Sequence, residues 1–249
     1  METRQKAQAL IMAGAVQVDG RRVEKAGTFV DTAVAISLLE PECPFVSRGG
    51  IKLDHALSVF GIPVAGAECL DLGSSTGGFT DCLLQRGARK VYCVDVGRNQ
   101  LHWKLRNDPR VVLREGYNAR DLDPADFPEA LFQVAVMDLA FISQRLVLPR
   151  VQYLLGCRGD REVNLVTLVK PQFEAGRADV GKGGIVRNEE VRMRVLRDVV
   201  QDASALGFAV TAWERSPITG ADGNVEFLLH LRFSGQSPIS GVRHDAGSI

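Results

Sequence analysis

The 249-residue chain contains no uninterrupted apolar run near the roughly 18 residues that a membrane-crossing helix needs, so no segment reads as a transmembrane span. Its first residues are polar and basic, with Arg4 and Lys6 and no apolar core ahead of a small-residue cleavage site. That speaks against secretion and makes the cytoplasm the expected compartment. Cysteine is sparse: Cys43, Cys69, Cys82, Cys93 and Cys157 are odd in number and form no C-x-x-C pair. Neither a disulfide framework nor a zinc site follows from such spacing; buried, reduced thiols and no metal are expected. Charge of one sign is lacking as well. The formal net charge is zero, so any contact with a polyanion has to come from local basic patches rather than from an overall field.

What remains is a globular composition, 45% apolar and 24% charged, in a chain long enough for one full α/β core and a small accessory domain. Residues 3–13 read as a helix with Ala7, Leu10 and Ile11 on one face. The segment VQVDGRRV alternates apolar and polar residues around Asp19-Gly20, a dipeptide favoured in two-residue hairpin turns. This small α+β unit opens in mid-helix near Met1, as if an element that covers its apolar face precedes it. Pro41 and Pro44 bias the backbone toward extended conformations that a helix cannot cross, which sets a domain boundary at 44/45.

Beyond the boundary, apolar strands near 68–72, 91–96, 111–114, 132–138 and 163–169 alternate with helical patterns at 79–86, 99–107 and 144–155. Repeated β-then-α of this kind predicts a parallel sheet with helices on both faces. A helix over 189–206 carries Val191, Val195, Leu196, Val199, Val200 and Ala203 in register, and its Arg192, Arg194 and Arg197 read as a solvated face. The strands FAVTAWERS and NVEFLLHLRF form an antiparallel pair, and the Ser/Gly-rich tail, 234–249, is expected to be disordered.

Five strands lead into residues that carry chemistry. The first apolar strand runs through Asp71 into Gly73-Ser74-Ser75-Thr76-Gly77-Gly78-Phe79, a turn and helix start at the sheet edge where doubly wound folds bind ligands. Glycines let a backbone pass close under a ligand, and free N–H groups at a helix start suit a carboxylate or phosphate. The spacing is G-x-x-x-G-G, not the G-x-G-x-x-G of nicotinamide dinucleotide sites. The second strand ends on Asp95-Val96, where a carboxylate can accept both hydroxyls of an adenosine ribose; the bland reading is a helix cap. Asn118, after the third strand, is a candidate for the adenine side. The fourth strand delivers Asp138 and the fifth Lys170, neighbours at one edge, and a lysine closing an apolar strand is costly unless paired. Lys52 in SRGGIKL and Glu226 in GNVEFLLHL have the same character.

The ordered set Lys52, Asp138, Lys170, Glu226 resembles the Lys-Asp-Lys-Glu tetrad of the FtsJ-like ribose 2′-O-methyltransferases. The segments SRGG-x-KL, DLGSSTGGFTDCLLQRGA, QLHWKL, MD-x-x-FIS, LVKPQFE and GNVEFLLHL resemble the TlyA (hemolysin A) family across 45–232. ETRQKAQALIMAGAVQVDG resembles the second half of that family's alpha-L RNA-binding domain. The resemblance implies a class I methyltransferase fold, a Rossmann-like, seven-stranded, mostly parallel sheet over 45–233. It also implies a partial RNA-binding domain over 1–44, S-adenosylmethionine as cofactor, and ribosomal RNA or ribosomal subunits as partner, with cytidine the modified nucleotide. Cofactor contacts are expected from Asp71, Gly73 to Phe79, Asp95, Val96, Asn118 and Asp138, and catalysis from the tetrad.

A ribose 2′-hydroxyl is a poor nucleophile at neutral pH, so the residues must align it and remove its proton. On this reading Lys170 steers or deprotonates the hydroxyl, Lys52 and Glu226 position the ribose, and Asp138 holds Lys170 near the methyl. The Gly-rich 173–187 segment, with Arg177, Lys182 and Arg187, is either a flexible clamp on RNA phosphate or a plain surface loop. Three other functions compete: an RNA-binding assembly factor without activity, a small-molecule methyltransferase, and a membrane-lytic protein. Four charges converging on one edge argue against the first. The tetrad and the RNA-binding resemblance argue against the second. The third finds no spanning segment or strongly cationic amphipathic helix to support it.

Overall fold

A computed structural model describes residues 7–8, 11, 16–23, 25–38, 43–157, 161–220 and 223–235. The chain divides into two compact units, Met1–Pro44 and Phe45–Ile249. In the first, Ala7, Gln8 and Ile11 are helical, and the rest of the helix expected over 3–13 lies outside the described residues. Strands β1 (Val16–Val18) and β2 (Arg21–Val23) pair antiparallel around Asp19-Gly20. Both turn residues have positive φ, 47° and 76°, the backbone of the expected two-residue hairpin. A third strand, β3 (Ile36–Leu38), absent from the sequence expectation, pairs with the other edge of β1. Asp19 guides it there: its Oδ1 accepts the Ala35 N–H at 2.9 Å, so one turn residue fixes two connections.

The second unit is built on β4 (Glu68–Leu72), β5 (Lys90–Asp95), β6 (Val111–Glu115), β7 (Phe132–Met137), β8 (Val163–Val169), β9 (Ala209–Arg215) and β10 (Phe227–Phe233). They form the seven-stranded, mostly parallel sheet, in the order β6-β5-β4-β7-β8-β10-β9. The first five run parallel, and β10 inserts antiparallel between β8 and β9. The inner strands are almost continuously buried because helices cover both faces, while edge strand β9 alternates exposed and half-buried residues.

Successive strand residues point to opposite faces. Cys69, Val91, Cys93, Val134 and Val136 therefore pack with α1 (Gly49–Val59) and α2 (Gly78–Gln85). Leu70, Leu72, Val94, Ala135 and Met137 pack on the other side with α4 (Leu148–Gly156) and α6 (Glu189–Ala205). Short helices α3 (Trp103–Arg106) and α5 (Pro171–Glu174) follow β5 and β8.

Three expectations change. Helix α1, which carries Lys52, is not among the expected helices. The 99–107 helix shrinks to α3, because Asn99 has φ 59° and His102 caps the Lys104 N–H with Nδ1 at 3.3 Å. Cys69, Cys82 and Cys93 are buried, but Cys43 is half-buried and Cys157, following α4, is exposed, so burial does not extend to all five thiols. The disorder expected of the tail falls, from residue 236 on, outside the described residues.

One backbone contact sets the geometry of the parallel edge. The Asp138 N–H donates to the Leu72 carbonyl at 2.9 Å, and Gly73, at φ +83°, leaves 2.4 Å between the Asp138 carbonyl oxygen and the place a Cβ would occupy. Gly73→Ala therefore has to move backbone and adopt a strained φ. We expect a loss of unfolding free energy of about 1–3 kcal/mol, measured by chemical denaturation.

Candidate active site

Residues brought by five segments line one cleft of about 290 Å³ at the carboxyl edge of the parallel strands. Lys52 comes from α1, Gly73 to Thr76, Gly78 and Phe79 from the turn after β4, Asp138 from the end of β7, Lys170 from the end of β8, and Glu226 from the start of β10. Each lysine faces one acid. Lys52 Nζ donates to Glu226 Oε2 at 2.5 Å, and both side chains are almost fully buried. Lys170 Nζ stands 2.6 Å from Asp138 Oδ1, although that oxygen makes no aligned hydrogen bond. Removing either member of a desolvated pair strands a charge, which explains why Lys170 is tolerated at a strand end and Lys52 on the buried side of α1.

Ser47, Arg48 and Gly220 also line the cleft and are not among the expected site residues. Ser47 packs on the turn, its Oγ 2.3 Å from where a Cβ on Gly78 would sit, so position 78 has no room for a side chain. Gly220 makes room for Glu226, whose Oε1 would lie 2.6 Å from an added Cβ. The glycines thus serve close approach of the chain to itself. Gly77, at φ +99°, admits Leu101 and Leu105 from α3 and the segment before it. Arg48 is exposed at the start of α1, with no sequence signal beyond its place in SRGG.

The remaining expected residues lie outside this cleft's lining but are tied to the same turn. Asp95 Oδ2 accepts the Ser75 N–H and Oδ1 the Gly97 N–H, both at 2.7 Å. Its carboxylate therefore holds the turn in shape, and each oxygen keeps a lone pair for a further donor. Val96 is 71% exposed beside it. The Tyr117 N–H donates to the Asp95 carbonyl at 3.0 Å, which brings the β6 loop, and Asn118 with it, to the same neighbourhood. Asn118 caps a single helical turn, Ala119–Asp121, by accepting the Arg120 N–H.

Asp71 is fully buried beneath the turn, where Thr80 Oγ1 donates to its Oδ2 at 2.6 Å and its Oδ1 has no partner. Burial, with added repulsion from Asp138 and Asp95, pushes its carboxyl up to about 7 against the Thr80 hydrogen bond. Ser74 Oγ is a second buried oxygen without a partner, in the cleft lining. Two orphaned polar atoms around a glycine turn are what a bound group with hydrogen-bond donors and a cationic centre would satisfy, so the residues fit a sulfonium-bearing amino acid cofactor.

Phe141 is 91% exposed at φ +63°, a strained backbone for an aromatic residue. Its ring lies 5.2 Å from that of Phe173, which in turn lies 5.9 Å from Lys170 Nζ. The 173–187 segment is pinned rather than free. Asn224 accepts the Val186 N–H and donates to the Gly184 carbonyl, and Arg194 pairs with Asp179 at 2.6 Å. Arg192 is likewise committed, to the Val186 carbonyl and Glu189, rather than merely solvated. Arg177, Lys182 and Arg187 remain exposed along this segment. Among the described residues no cluster of His, Cys, Asp and Glu suits a metal ion, and no helix is long and apolar enough to cross a membrane.

A parallel sheet with an inserted antiparallel strand, and a glycine turn with acids beneath and beside it, define a class I methyltransferase. The chain belongs to the FtsJ-like methyltransferase family, which it matches over residues 45–233, and its residues 2–35 match the S4 domain. It is 48% identical over 235 residues to a Bacillus subtilis protein called "Putative rRNA methyltransferase YqxC", covering 94% of this chain and 82% of that one. It is 46% identical over 231 residues to the 16S/23S rRNA (cytidine-2'-O)-methyltransferase TlyA of Mycobacterium tuberculosis, covering 92% and 84%. A solved structure described as "Putative hemolysin from Streptococcus thermophilus" superposes with a TM-score of 0.76 at 45% identity, covering 94% and 84%.

Because folded Asp71 keeps its proton up to about 7 while an ordinary aspartate releases it near 3.8, the folded state binds the extra proton in that window and stability falls as pH rises through it. Asp71→Asn should flatten that fall, measured as melting temperature against pH. An unchanged slope would mean that the group ionises as an ordinary aspartate.

Proposed function

We propose that this chain is a cytoplasmic enzyme that transfers a methyl group from S-adenosylmethionine to a ribose 2′-hydroxyl of RNA, cytidine in ribosomal RNA being the substrate. The carrying observation is the pair of lysine–carboxylate contacts, Lys52–Glu226 and Lys170–Asp138, meeting in one cleft beside the glycine turn. The names of the relatives support the ribosomal substrate, and the S4 match supports residues 1–44 as an RNA-binding domain beside a methyl-transfer domain over 45–233.

The cofactor, when bound, supplies an electrophilic sulfonium methyl group. Gly73, Ser74, Ser75, Thr76, Gly77, Gly78 and Phe79 shape its seat, with Asp71 and Ser74 offering the unpartnered oxygens. Asp95 would accept its ribose hydroxyls on the lone pairs the turn leaves free, and Val96 and Asn118 would stand on its adenine side. Lys170 steers the substrate hydroxyl and takes its proton, which it can do once neutral, while Asp138 fixes where its Nζ sits. Lys52 and Glu226 position the acceptor ribose. Exposed Arg48, at the cleft mouth, suits a flanking phosphate, and exposed Phe141 beside Phe173 offers a stacking face to an unpaired base.

Lys170→Ala should lower the methyl-transfer rate by about 10²–10⁴-fold while S-adenosylmethionine affinity, read by calorimetry, stays within a few-fold of the unsubstituted protein. Turnover at the original rate would remove Lys170 from the chemistry.

A further inference from the structure

Asp138 and Lys170 end neighbouring strands, yet the segment after each, a loop beyond Asp138 and the short helix α5 beyond Lys170, could carry its side chain away. Beyond Asp138 the chain runs through exposed Phe141 to Ser143 and Gln144; beyond Lys170 it runs through Pro171 and Phe173 to Glu174. These two segments are closed against each other. Gln144 is buried, donates through Nε2 to the Leu168 carbonyl at 2.8 Å and accepts Thr167 Oγ1 at 2.7 Å, which ties the first loop to β8 just ahead of Lys170. Glu174 returns the tie from the other side: its Oε1 accepts the Gln144 N–H at 2.8 Å and its Oε2 accepts Ser143 Oγ at 2.6 Å. The result is a set of hydrogen bonds that joins the segment after Asp138 to the residues on either side of Lys170.

We propose that Glu174 is a positioning residue for methyl transfer, holding the loop after Asp138 and the turn after Lys170 in one fixed relation through Ser143 and Gln144. The inference rests on the methyl-transfer reading above for its kinetic consequence and on hydrogen bonds alone for its structural one. Glu174 carries this tie at a cost, since burial pushes its carboxyl above the usual range. A carboxylate kept desolvated to accept two hydrogen bonds fits a role in holding geometry, where a misplacement of about 1 Å costs rate steeply. The same tie sets the spacing of Phe141 and Phe173, one from each segment.

The test uses the full chain and the variants Glu174→Ala, Glu174→Gln and Ser143→Ala. Glu174→Ala is expected to lower kcat about 10–100-fold while KM for ribosomal RNA and S-adenosylmethionine affinity change less than about threefold. Glu174→Gln, which can still accept the Gln144 N–H and donate to Ser143 Oγ, is expected to recover most of that rate. Amide hydrogen exchange supplies a readout independent of activity: in Glu174→Ala, exchange rises at 139–144 and 171–175 together and stays protected in β4, β7 and β8. Ser143→Ala removes one of the two bonds and gives a smaller rise at the same two segments, which keeps the test available if Glu174→Ala does not fold. Unchanged kcat in Glu174→Ala, or faster exchange at 171–175 without 139–144, overturns the proposal. If the unsubstituted protein labels no RNA, the methyl-transfer reading fails while the exchange pattern still decides whether the two segments are tied.

Discussion

The contact between the end of β4 and the end of β7 governs the geometry of this protein's parallel edge. Asp138 donates its N–H to Leu72, and Gly73 folds under the Asp138 carbonyl with no room for a side-chain carbon. The glycine turn that shapes one wall of the cleft and the acid that faces Lys170 are therefore one rigid backbone junction. From it the other distances follow: Asp95 reaches the turn from β5, Lys170 arrives from β8 beside Asp138, and α1 brings Lys52 over the turn to meet Glu226.

Burying Lys52 and Glu226 and half-burying Asp138 and Lys170 along a sheet edge costs desolvation free energy, and pairing limits the cost without removing it. Asp71 and Ser74 add orphaned oxygens, and Phe141 adds a strained backbone and an exposed ring. Local departures of this kind concentrate where a site is preorganised for a ligand rather than for stability. Here they gather at the edge where β4, β7 and β8 end, while the helices packed on both faces of the sheet hold ordinary apolar cores.

Much of the architecture was legible in the sequence. Strands covered on both faces must be apolar throughout, so β4, β5, β7 and β8 stood out, and a carboxylate or lysine at the end of such a run marked a ligand edge. Other features were hidden for physical reasons. Helix α1 starts on Gly49-Gly50 with no side-chain cap, so neither propensity nor capping announces it. β3 is three exposed residues whose pairing with β1 is guided by Asp19, which holds Ala35 from sixteen positions earlier. The Glu174–Gln144 tie spans thirty residues and uses polar side chains that look solvated in isolation. The glycines 73 and 78 suggested close passage of the backbone under a ligand; both line the cleft, and each also lets the chain approach itself, Gly73 at the Asp138 carbonyl and Gly78 at Ser47. Asp95 and Asn118 were read as cofactor contacts; each also carries a local backbone role that the pattern did not display.

The central claim is that this edge places a ribose hydroxyl of RNA against a sulfonium methyl. The most direct measurement is transfer of labelled methyl from S-adenosylmethionine to ribosomal subunits isolated from cells lacking this protein, followed by digestion of the RNA to nucleosides. The account predicts label in 2′-O-methylcytidine. Label in a base-methylated nucleoside, or cofactor binding with no label in RNA from either subunit, would contradict it.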